Sequence, residues 1–505
     1  MNIVGEFLLR SARRHPDRIA LVDGEVRLTY RELAELVGRV AAGIRGLGIA
    51  PGDRISYHGN NRWELIVTFL ASVQAGTVMV PLNVMFRPAE LAHVLAAAGI
   101  KLVLTTAEGA AALESLRGAP SFPAHVSSYD DPAGLFARWI GAPAATPVIA
   151  DRAPTDIVTL FFTSGTTGTP KGAPQDHDFI DHLAHSWVIA CRYVPSDVFL
   201  MTTPMFWTVA PLHCLLPVVL VGASIVVMRR FDPDGCCELI RRHAVTTMFA
   251  VPTMYTMLVD QKAAELRALA SLRVCSVAGA PIAAEVVGAF ESLTGATLLN
   301  IYGATEAGAI AREMLGAPRR AGCAGTLGGT VETRILDAQG QPVPPGTPGE
   351  IVVRGLTVTP GYWEAGRVNR DSLPDGWFHT GDVGILEDGF LRVVDRIKDM
   401  IITGGANIYP AEIEDVIRRH PKVSMVAVIG APDRVKGELA VAYVVARQAG
   451  ALSVAELEAH CRDQLASYKV PRRYVLVEAL PLTQTGKVRK AELRQAAADS
   501  LTALR

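Results

Sequence analysis

Residues 163–172 read TSGTTGTPKG, a stretch in which glycine, serine and threonine occupy all but two positions. Glycine leaves backbone N–H groups uncovered and the small hydroxyl side chains add donors, so such a loop can fold around phosphate oxygens. Lys171 adds a positive charge on a long, mobile stem. The preceding residues 156–162, DIVTLFF, predict a β-strand. The loop therefore follows the carboxyl end of a strand, where open α/β sheets bind ligands.

The spacing within this loop excludes two common nucleotide-binding loops. The P-loop pattern GxxxxGK[ST] is not met, because Gly165 is followed by Gly168 and then by Thr-Pro-Lys. No GxGxxG follows the first predicted strand, which disfavours a dinucleotide site. From composition alone, a polar surface loop stays open as the alternative.

The periodicity of the chain predicts its architecture. Helix-period segments such as residues 30–48 alternate with short β-branched runs such as residues 101–106, which indicates layered α/β architecture with largely parallel sheets over about the first 300 residues. After about residue 320, short strands broken by Gly and Pro predict a small antiparallel sheet or barrel. Beyond Asp395, a strand, a glycine turn and a helix predict a compact terminal domain.

Composition narrows the function to small-molecule chemistry. The 505 residues carry a formal charge of −1, which provides no overall field to attract nucleic acid or an anionic membrane. Seven cysteines are scattered without zinc-ligand spacing, as in reduced cytosolic proteins. The longest apolar run, Leu212 to Met228, is too short to cross a bilayer and predicts a buried helix end and a strand. We therefore expect a cytoplasmic protein without an integral membrane segment or a nucleic-acid partner.

Further motifs follow the glycine loop in a fixed order. They are YGATE (302–306), GEIVVRG (349–355), GYW (361–363), GWFHTGDVG (376–384), DRIKDMIITGGANIYPAEIE (395–414) and PLTQTGKVRK (481–490). Together with TSGTTGTPKG they resemble, over nearly the whole chain, the adenylate-forming (AMP-binding) superfamily. That superfamily includes acyl-CoA synthetases, aryl-CoA ligases, peptide-synthetase adenylation domains and firefly luciferases.

The resemblance implies a two-domain fold. A large N-terminal AMP-binding domain is expected over residues 1–397, with two α/β subdomains to about residue 320 and a β-rich subdomain over about 321–395. A small, mobile α+β C-terminal domain is expected over residues 398–505, with its hinge at Lys398. In the family this domain rotates between two half-reactions.

The resemblance also implies an ATP site. The glycine loop would hold the β- and γ-phosphates, Tyr302 would stack on adenine, and Asp382 and Arg396 would meet the ribose. A carboxylate suits the ribose because its two oxygens can accept from both hydroxyls. The nucleotide-binding residues implied are Thr163, Ser164, Gly165, Thr166, Thr167, Gly168, Lys171, Gly279, Ala280, Pro281, Tyr302, Gly303, Asp382 and Arg396.

Three residues are implied in catalysis, and three in binding coenzyme A. Thr305 would approach the α-phosphate, and Glu306 would bind the Mg2+ that travels with ATP, in keeping with the preference of Mg2+ for carboxylate and phosphate oxygens. Lys487 would touch both the substrate carboxylate and the α-phosphate. The pantetheine arm of coenzyme A would pass the segment formed by Gly404, Gly405 and Ala406.

The acyl pocket is implied at Trp207, Ala278, Ala304 and Ala309. Trp207 stands where many relatives in the family carry a histidine, which puts a histidine-dependent role in doubt. No basic residue occurs in residues 204–211, 278–282 or 302–309, which favours an apolar monocarboxylic acid over a dicarboxylate. Short, medium, branched, cyclic and aromatic acids stay open.

The implied function is an ATP-dependent carboxylate–CoA ligase of acyl or fatty acid metabolism, with ATP, Mg2+ and coenzyme A as cofactors. It would form an acyl-AMP with release of pyrophosphate and then pass the acyl group to coenzyme A with release of AMP. Loading of a carrier-protein phosphopantetheine, a luciferase-like oxygenase and a non-catalytic nucleotide-binding regulator stay open as alternatives. The oligomeric state, a homodimer included, and acetylation of Lys487 are not specified by the sequence.

Three histidines raise the question of a metal site. His177, His182 and His185 lie near Asp178 and Asp181, and His182 and His185 share one side of a predicted helix. A third ligand is not identifiable, so a partly exposed helix face is the preferred interpretation.

Overall fold

A computed structural model describes residues 3–143, 147–164, 170–403, 406–433, 436–448, 450–482 and 488–502. The chain forms two compact units. Unit 1 comprises Met1–Thr333 and Val353–Phe378, and unit 2 comprises Arg334–Val352 and His379–Arg505. The predicted mixed α/β class is confirmed, while the predicted division at residue 397 and the hinge at Lys398 stay predictions.

The helices of unit 1 alternate along the chain with its strands. They are α1 (Ile3–Arg14), α2 (Tyr30–Gly46), α3 (Trp63–Ala75), α4 (Pro88–Ala98), α5 (Ala107–Glu114), α6 (Leu135–Ile140), α7 (His177–Cys191), α8 (Leu216–Val221), α9 (Pro233–His243), α10 (Pro252–Gln261), α11 (Ala263–Leu266) and α12 (Ala284–Thr294). A π-helix, Val209–Leu215, leads directly into α8. Helix α2 begins where the sequence provides a capping box, in which the side chains of Thr29 and Glu32 each accept from the other's backbone N–H.

The strands of unit 1 form two sheets. They are β1 (Ile19–Asp23), β2 (Val26–Thr29), β3 (Arg54–His58), β4 (Val78–Met79), β5 (Ile100–Thr105), β6 (His125–Ser128), β7 (Ile157–Ser164), β8 (Pro170–Asp176), β9 (Val198–Met201), β10 (Ser224–Val227), β11 (Thr247–Ala250), β12 (Val274–Val277), β13 (Thr297–Ala304), β14 (Gly308–Arg312) and β15 (Thr326–Leu327), followed after an excursion by β18 (Tyr362–Glu364) and β19 (Arg367–Asn369). One sheet has the order β15-β14-β13-β12-β11-β9-β10-β1-β2, and the other has the order β19-β18-β8-β7-β4-β3-β5-β6. The strands between β9 and β13, and those between β3 and β7, pair in parallel, as the sequence predicts.

The cores of unit 1 explain why the helical segments predicted between strands are so apolar. The largest core joins residues of α1, α2, α3 and α7 to strands of both sheets, so these helices lie between the two sheets. The other face of the first sheet packs against α9, α10 and α12, and the other face of the second packs against α4. Since α3 is buried on every side, its segment reads as a continuous apolar run. The predicted helix end and strand at Leu212–Met228 are confirmed as α8 and β10.

Unit 2 is a smaller α+β unit. Its elements are β16 (Val331–Leu336), β17 (Gly349–Gly355), β20 (Phe378–Glu387), β21 (Phe390–Arg396), β22 (Ile401–Thr403), β23 (Ala406–Ile408), β24 (Val423–Asp433), β25 (Gly437–Ala446), β26 (Arg473–Leu476), α13 (Pro410–Arg418), α14 (Val454–Gln464) and α15 (Lys490–Thr502). The boundaries between the two units fall within β16, within β17 and at the start of β20. Strands β16-β17-β20-β21 are neighbours in that order, and β23-β22-β25-β24 form a second sheet with β26 on β25. Helices α13 and α14 cover one face of that second sheet, and α15 covers the other.

In the part of the chain that the structure describes, no helix combines the length and the apolar character that a bilayer crossing requires.

Candidate active site

The described ends of the glycine loop lie on two paired strands. Strand β7 runs antiparallel to β8, with Thr163 opposite Lys171 and Ser164 opposite Pro170. The predicted strand before the loop is therefore confirmed. The predicted residues Gly165, Thr166, Thr167 and Gly168 lie outside the described residues.

Two hydroxyl groups from distant parts of the sequence of unit 1 lie close to the Glu306 carboxylate. The hydroxyl of Tyr362 donates to its Oε1 at 3.2 Å, and Oγ1 of Thr163 lies 3.4 Å from the same oxygen. Nζ of Lys171 lies 5.3 Å from the centroid of the Tyr362 ring, within cation–π distance. Burial, reinforced by the Glu306 carboxylate, raises the pKa of Tyr362, so its phenol keeps the proton that it donates. The arrangement gathers one carboxylate, one ammonium and two hydroxyls.

Thr305 is fixed by a chain of hydrogen bonds that begins in the buried interior. Oγ1 of Thr159 donates to Oε1 of Gln175 at 2.7 Å, and Nε2 of Gln175 donates to the carbonyl oxygen of Thr305 at 3.0 Å. Thr159 and Gln175 are fully buried. Oγ1 of Thr208 donates to Oγ1 of Thr305 at 3.2 Å. The YGATE turn is thus attached to β7, β8 and the segment that carries Trp207.

The YGATE turn also depends on a close backbone approach. A Cβ atom at Gly303 would lie 1.8 Å from the carbonyl oxygen of Gly308, so only glycine fits there. The backbone N–H of Thr359 donates to the carbonyl oxygen of Glu306 at 2.7 Å. These contacts fix the end of β13, with Tyr302 and Ala304, and the adjoining turn that carries Glu306.

Residues 278–281 occupy the carboxyl end of a parallel strand. They follow β12, the position at which open α/β sheets bind ligands. Ala278 packs against the large core, whereas Gly279 and Pro281 are exposed and Ala280 is half-buried. Gly279 has φ of +94°, a left-handed conformation that favours glycine.

The predicted acyl-pocket residues occupy unit 1. The ring of Trp207 is half-buried and meets Phe206 edge to face at 6.0 Å between centroids. Ala309 is buried, and Ala304 is half-buried in the YGATE turn. The side chains at 278, 304 and 309 are small, as an acyl pocket at these positions would require.

The two predicted ribose-binding residues form a pair within unit 2. Asp382 and Arg396 are cross-strand partners on β20 and β21. Nε of Arg396 lies 3.2 Å from Oδ1 of Asp382, and the arginine side chain is 51% exposed. Oγ1 of Thr380 accepts a hydrogen bond from the backbone N–H of Asp382 at 3.0 Å, which fixes the backbone of β20 at this point.

Comparison with known proteins identifies the family of this chain. The profile described as "AMP-binding enzyme" matches residues 8–363, and that of the "AMP-binding enzyme C-terminal domain" matches residues 412–487. This chain belongs to the AMP-binding enzyme family.

Individual members of the family resemble the chain along its whole length. A feruloyl-CoA synthase of Amycolatopsis sp is 36% identical over 97% of this chain and 98% of its own. The ATP-bound crystal structure of MatB from Rhodopseudomonas palustris has a TM-score of 0.91 at 29% identity, covering 98% of this chain and 99% of that one. An anthranilate CoA ligase in complex with anthranoyl-AMP has a TM-score of 0.91 at 27% identity, covering 99% of this chain and 98% of that one.

The remaining predictions from the AMP-binding family concern unit 2. Lys487, Gly404 and Gly405 lie outside the described residues. Ala406 begins β23, and Lys398 is exposed in a short 3-10 turn, Ile397–Asp399. Arg494 on α15 bonds to the carbonyl oxygen of Lys398 at 3.4 Å and to Oδ1 of Asp399 at 2.5 Å. The roles assigned to all these residues stay predictions.

Three contributors were missed by the sequence interpretation. Tyr362 belongs to the GYW motif, which supports the family resemblance but carries no assigned role. Gln175 is a polar residue inside a buried strand, and that mismatch was an available signal, because a buried amide needs partners. Nothing in the sequence distinguishes Thr208 from other threonines.

The three histidines differ in part from the expected exposed face. The predicted helix is confirmed as α7, and His185 is exposed. His177 is buried instead, because α7 packs between the two sheets. The ring nitrogens Nδ1 of His182 and His185 lie within hydrogen-bond distance of helix carbonyls one turn earlier. Among the described residues, no group of three metal-ligating side chains comes together.

Proposed function

We propose that this chain is an ATP-dependent carboxylate–CoA ligase in which Thr163, Lys171, Thr305 and Glu306 handle the phosphates of ATP. The observation that carries the proposal is the shared carboxylate oxygen of Glu306, which Thr163 and Tyr362 both approach. Membership of the AMP-binding enzyme family, whose member feruloyl-CoA synthase is 36% identical, supports the reaction class.

Magnesium fits the residues at this position. Glu306 offers a carboxylate beside the hydroxyl of Thr163, and Mg2+ favours such oxygen ligands together with phosphate oxygens. Glu306 would hold the ion, which would supply positive charge to the phosphates of ATP. We propose no other ligand from the described chain.

The first half-reaction is an in-line exchange at the α-phosphorus. A carboxylate oxygen of the acid forms a bond to that phosphorus while the bond to the pyrophosphate oxygen breaks, which gives acyl-AMP and pyrophosphate. Lys171 and, by family resemblance, Lys487 would offset the negative charge that collects there. Thr305, held by Gln175 and Thr208, would orient the α-phosphate.

The second half-reaction transfers the acyl group to coenzyme A. The thiolate of coenzyme A bonds to the acyl carbon, and the bond to the AMP oxygen breaks, so that the thioester and AMP are the products. We place the pantetheine arm beside Gly404, Gly405 and Ala406, and the adenosine ribose at Asp382 and Arg396. A cytoplasmic location, the hinge at Lys398 and a homodimer stay predictions.

Pyrophosphate release tests this proposal. Purified protein is incubated with ATP, Mg2+ and a panel of carboxylic acids, with and without coenzyme A, and pyrophosphate, AMP and thioester are measured. We expect acid-dependent pyrophosphate release, and thioester only when coenzyme A is present. An acyl-AMP that passes to a holo-carrier protein but never to coenzyme A would replace the ligase by the carrier-loading alternative. Absence of acid-dependent pyrophosphate release would refute both.

A further inference from the structure

A buried arginine at the end of β14 has no anionic partner among the described residues. Arg312 ends β14 and is only 7% exposed. Its Nη1 donates to Oγ of Ser186 on α7 at 2.7 Å. Within the described ranges, no carboxylate lies within ion-pair distance of this guanidinium. A buried, uncompensated charge is costly, so the site favours a ligand that brings acceptor atoms.

Two more nitrogen-bearing rings near it have no hydrogen-bond partner within the described part of the chain. The rings of His213 and Trp187 meet edge to face at 5.3 Å between centroids. His213 is 7% exposed, and no described residue hydrogen-bonds to its ring nitrogens. Nε1 of Trp187 is buried and likewise has no partner in the described chain. Burial, followed by the charge of Arg312, lowers the pKa of His213 to about 3, so its imidazole is neutral at neutral pH.

These groups form a cluster rich in donors and poor in acceptors, which we name the donor niche (Trp187, His213 and Arg312). A guanidinium has five N–H donors, of which one bonds to Ser186. The indole and the neutral imidazole each add one more. Ser186 offers no spare proton, because its hydroxyl donates to the carbonyl oxygen of Leu183 at 2.7 Å.

The donor niche adjoins the predicted acyl pocket. Thr208, which bonds to Thr305, stands five residues before His213, and that spacing is one hydrogen-bonded turn of the π-helix. Trp187 and Ala309 belong to the same core, and Ala278 packs against it. A small-molecule acid bound at Thr305 is therefore within reach of His213, the member of the donor niche on that helix.

We propose that the donor niche binds an acceptor oxygen at the far end of the acid, a second carboxylate, a carbonyl or a phenol oxygen. This rests on the proposed ligase function. It reverses the sequence-based preference for an apolar monocarboxylate, because Arg312 lies three residues beyond the stretch 302–309, which lacks basic side chains. Polar sites built in this way discriminate strongly, because the analogue that lacks the oxygen leaves buried donors unpaired.

The test compares matched acids in pyrophosphate release. The acids are phenylpropanoate, its para-hydroxy derivative and its para-carboxy derivative, which differ only at the far end. We expect the wild type to have kcat/KM at least about tenfold higher for one of the oxygen-bearing acids than for phenylpropanoate. Arg312→Met should reduce that ratio about tenfold or more, and Arg312→Lys should restore part of it. The matched control is Arg273→Met, a half-buried arginine paired with Asp197, which should leave the ratio as it is.

The outcomes separate the two proposals. If the wild type releases pyrophosphate but prefers phenylpropanoate or does not discriminate, the donor niche is wrong and the ligase stands. If Arg312→Met lowers kcat/KM for all three acids by one factor, Arg312 serves folding and the proposal is also overturned. If no acid gives pyrophosphate, the ligase function fails and the donor niche fails with it. Should Arg312→Met not fold, the wild-type ratios decide.

Discussion

The two groups of predicted nucleotide-binding residues are built very differently. In unit 1, Glu306 lies in a network that joins Thr163, Tyr362 and the strands β7 and β8. In unit 2, Asp382 and Arg396 form a cross-strand pair on a hairpin, and the arginine side chain is 51% exposed. Charges in a partly buried network interact more strongly than charges in water. The motifs therefore identify residues whose interactions differ in strength, and substitutions should have effects of correspondingly different size.

Glu306→Gln should have the largest effect. The amide oxygen can still accept from Tyr362, so the fold should be kept while the negative charge is lost. We expect kcat for acid-dependent pyrophosphate release to fall about a thousandfold, the loss typical of a key electrostatic group. The control is Glu332→Gln, an exposed glutamate of unit 1 paired with Arg354. A fall of less than about threefold would mean that Glu306 is not part of the phosphate site.

Acid should destabilise unit 1 before unit 2. Burial lowers the pKa of His58 and of His177 to about 4 from 6.5. Below pH 6.5 the unfolded chain binds protons at these histidines, whereas the folded chain does not until about pH 4. The free energy of unfolding therefore falls as the pH falls across that window, by up to about 3 kcal/mol for each histidine. His420 of unit 2 is only half-buried, although burial lowers its pKa too.

Hydrogen exchange followed by mass spectrometry measures this difference region by region. Peptides from α7 and β3 should lose protection between pH 6.5 and 4.5 more steeply than peptides from β24 and β25. In His177→Gln the fall for unit 1 should become shallower. Equal slopes in both units would show that the buried histidines do not govern acid stability.

The sequence predicts some of these features and misses others for physical reasons. Glu306 and Asp382 are found because each sits in a short contiguous motif that resembles the family. Helix α7 and strand β7 are found because their periodicity and apolar content are local properties. Tyr362, Gln175 and Arg312 are not assigned roles, because their significance comes from partners 56, 130 and 126 residues away. Contacts of that range are fixed by how the two sheets pack, which no local pattern records.

Tyr362→Phe should have a moderate effect. The ring keeps its place under Lys171, but the hydrogen bond to Glu306 is lost. A hydrogen bond to a charged group contributes about 1.5 kcal/mol or more, so kcat should fall about tenfold. The KM for Mg2+ should rise while the KM for the acid stays the same, a split that general loss of packing would not give. Tyr468→Phe is the matched control, since Tyr468 also lies beside a lysine but is 47% exposed and belongs to unit 2.

Arg396→Ala should have the smallest effect on stability, and it tests directly how much the Asp382–Arg396 pair of unit 2 contributes. The Arg396 side chain is 51% exposed, so its ion pair should contribute less than about 1 kcal/mol and the urea midpoint should hardly move. If Arg396 meets the ribose as proposed, the KM for ATP should nevertheless rise a few-fold while kcat changes less, because ground-state binding is what is lost. Arg418→Ala is the matched control, since Arg418 is also an exposed arginine of unit 2 paired with an aspartate. If both variants leave the KM for ATP unchanged, Arg396 is an ordinary surface charge. A large loss of stability in Arg396→Ala would instead show that the ion pair stabilises the hairpin. The residues of the two units would then not differ in their energetic contribution.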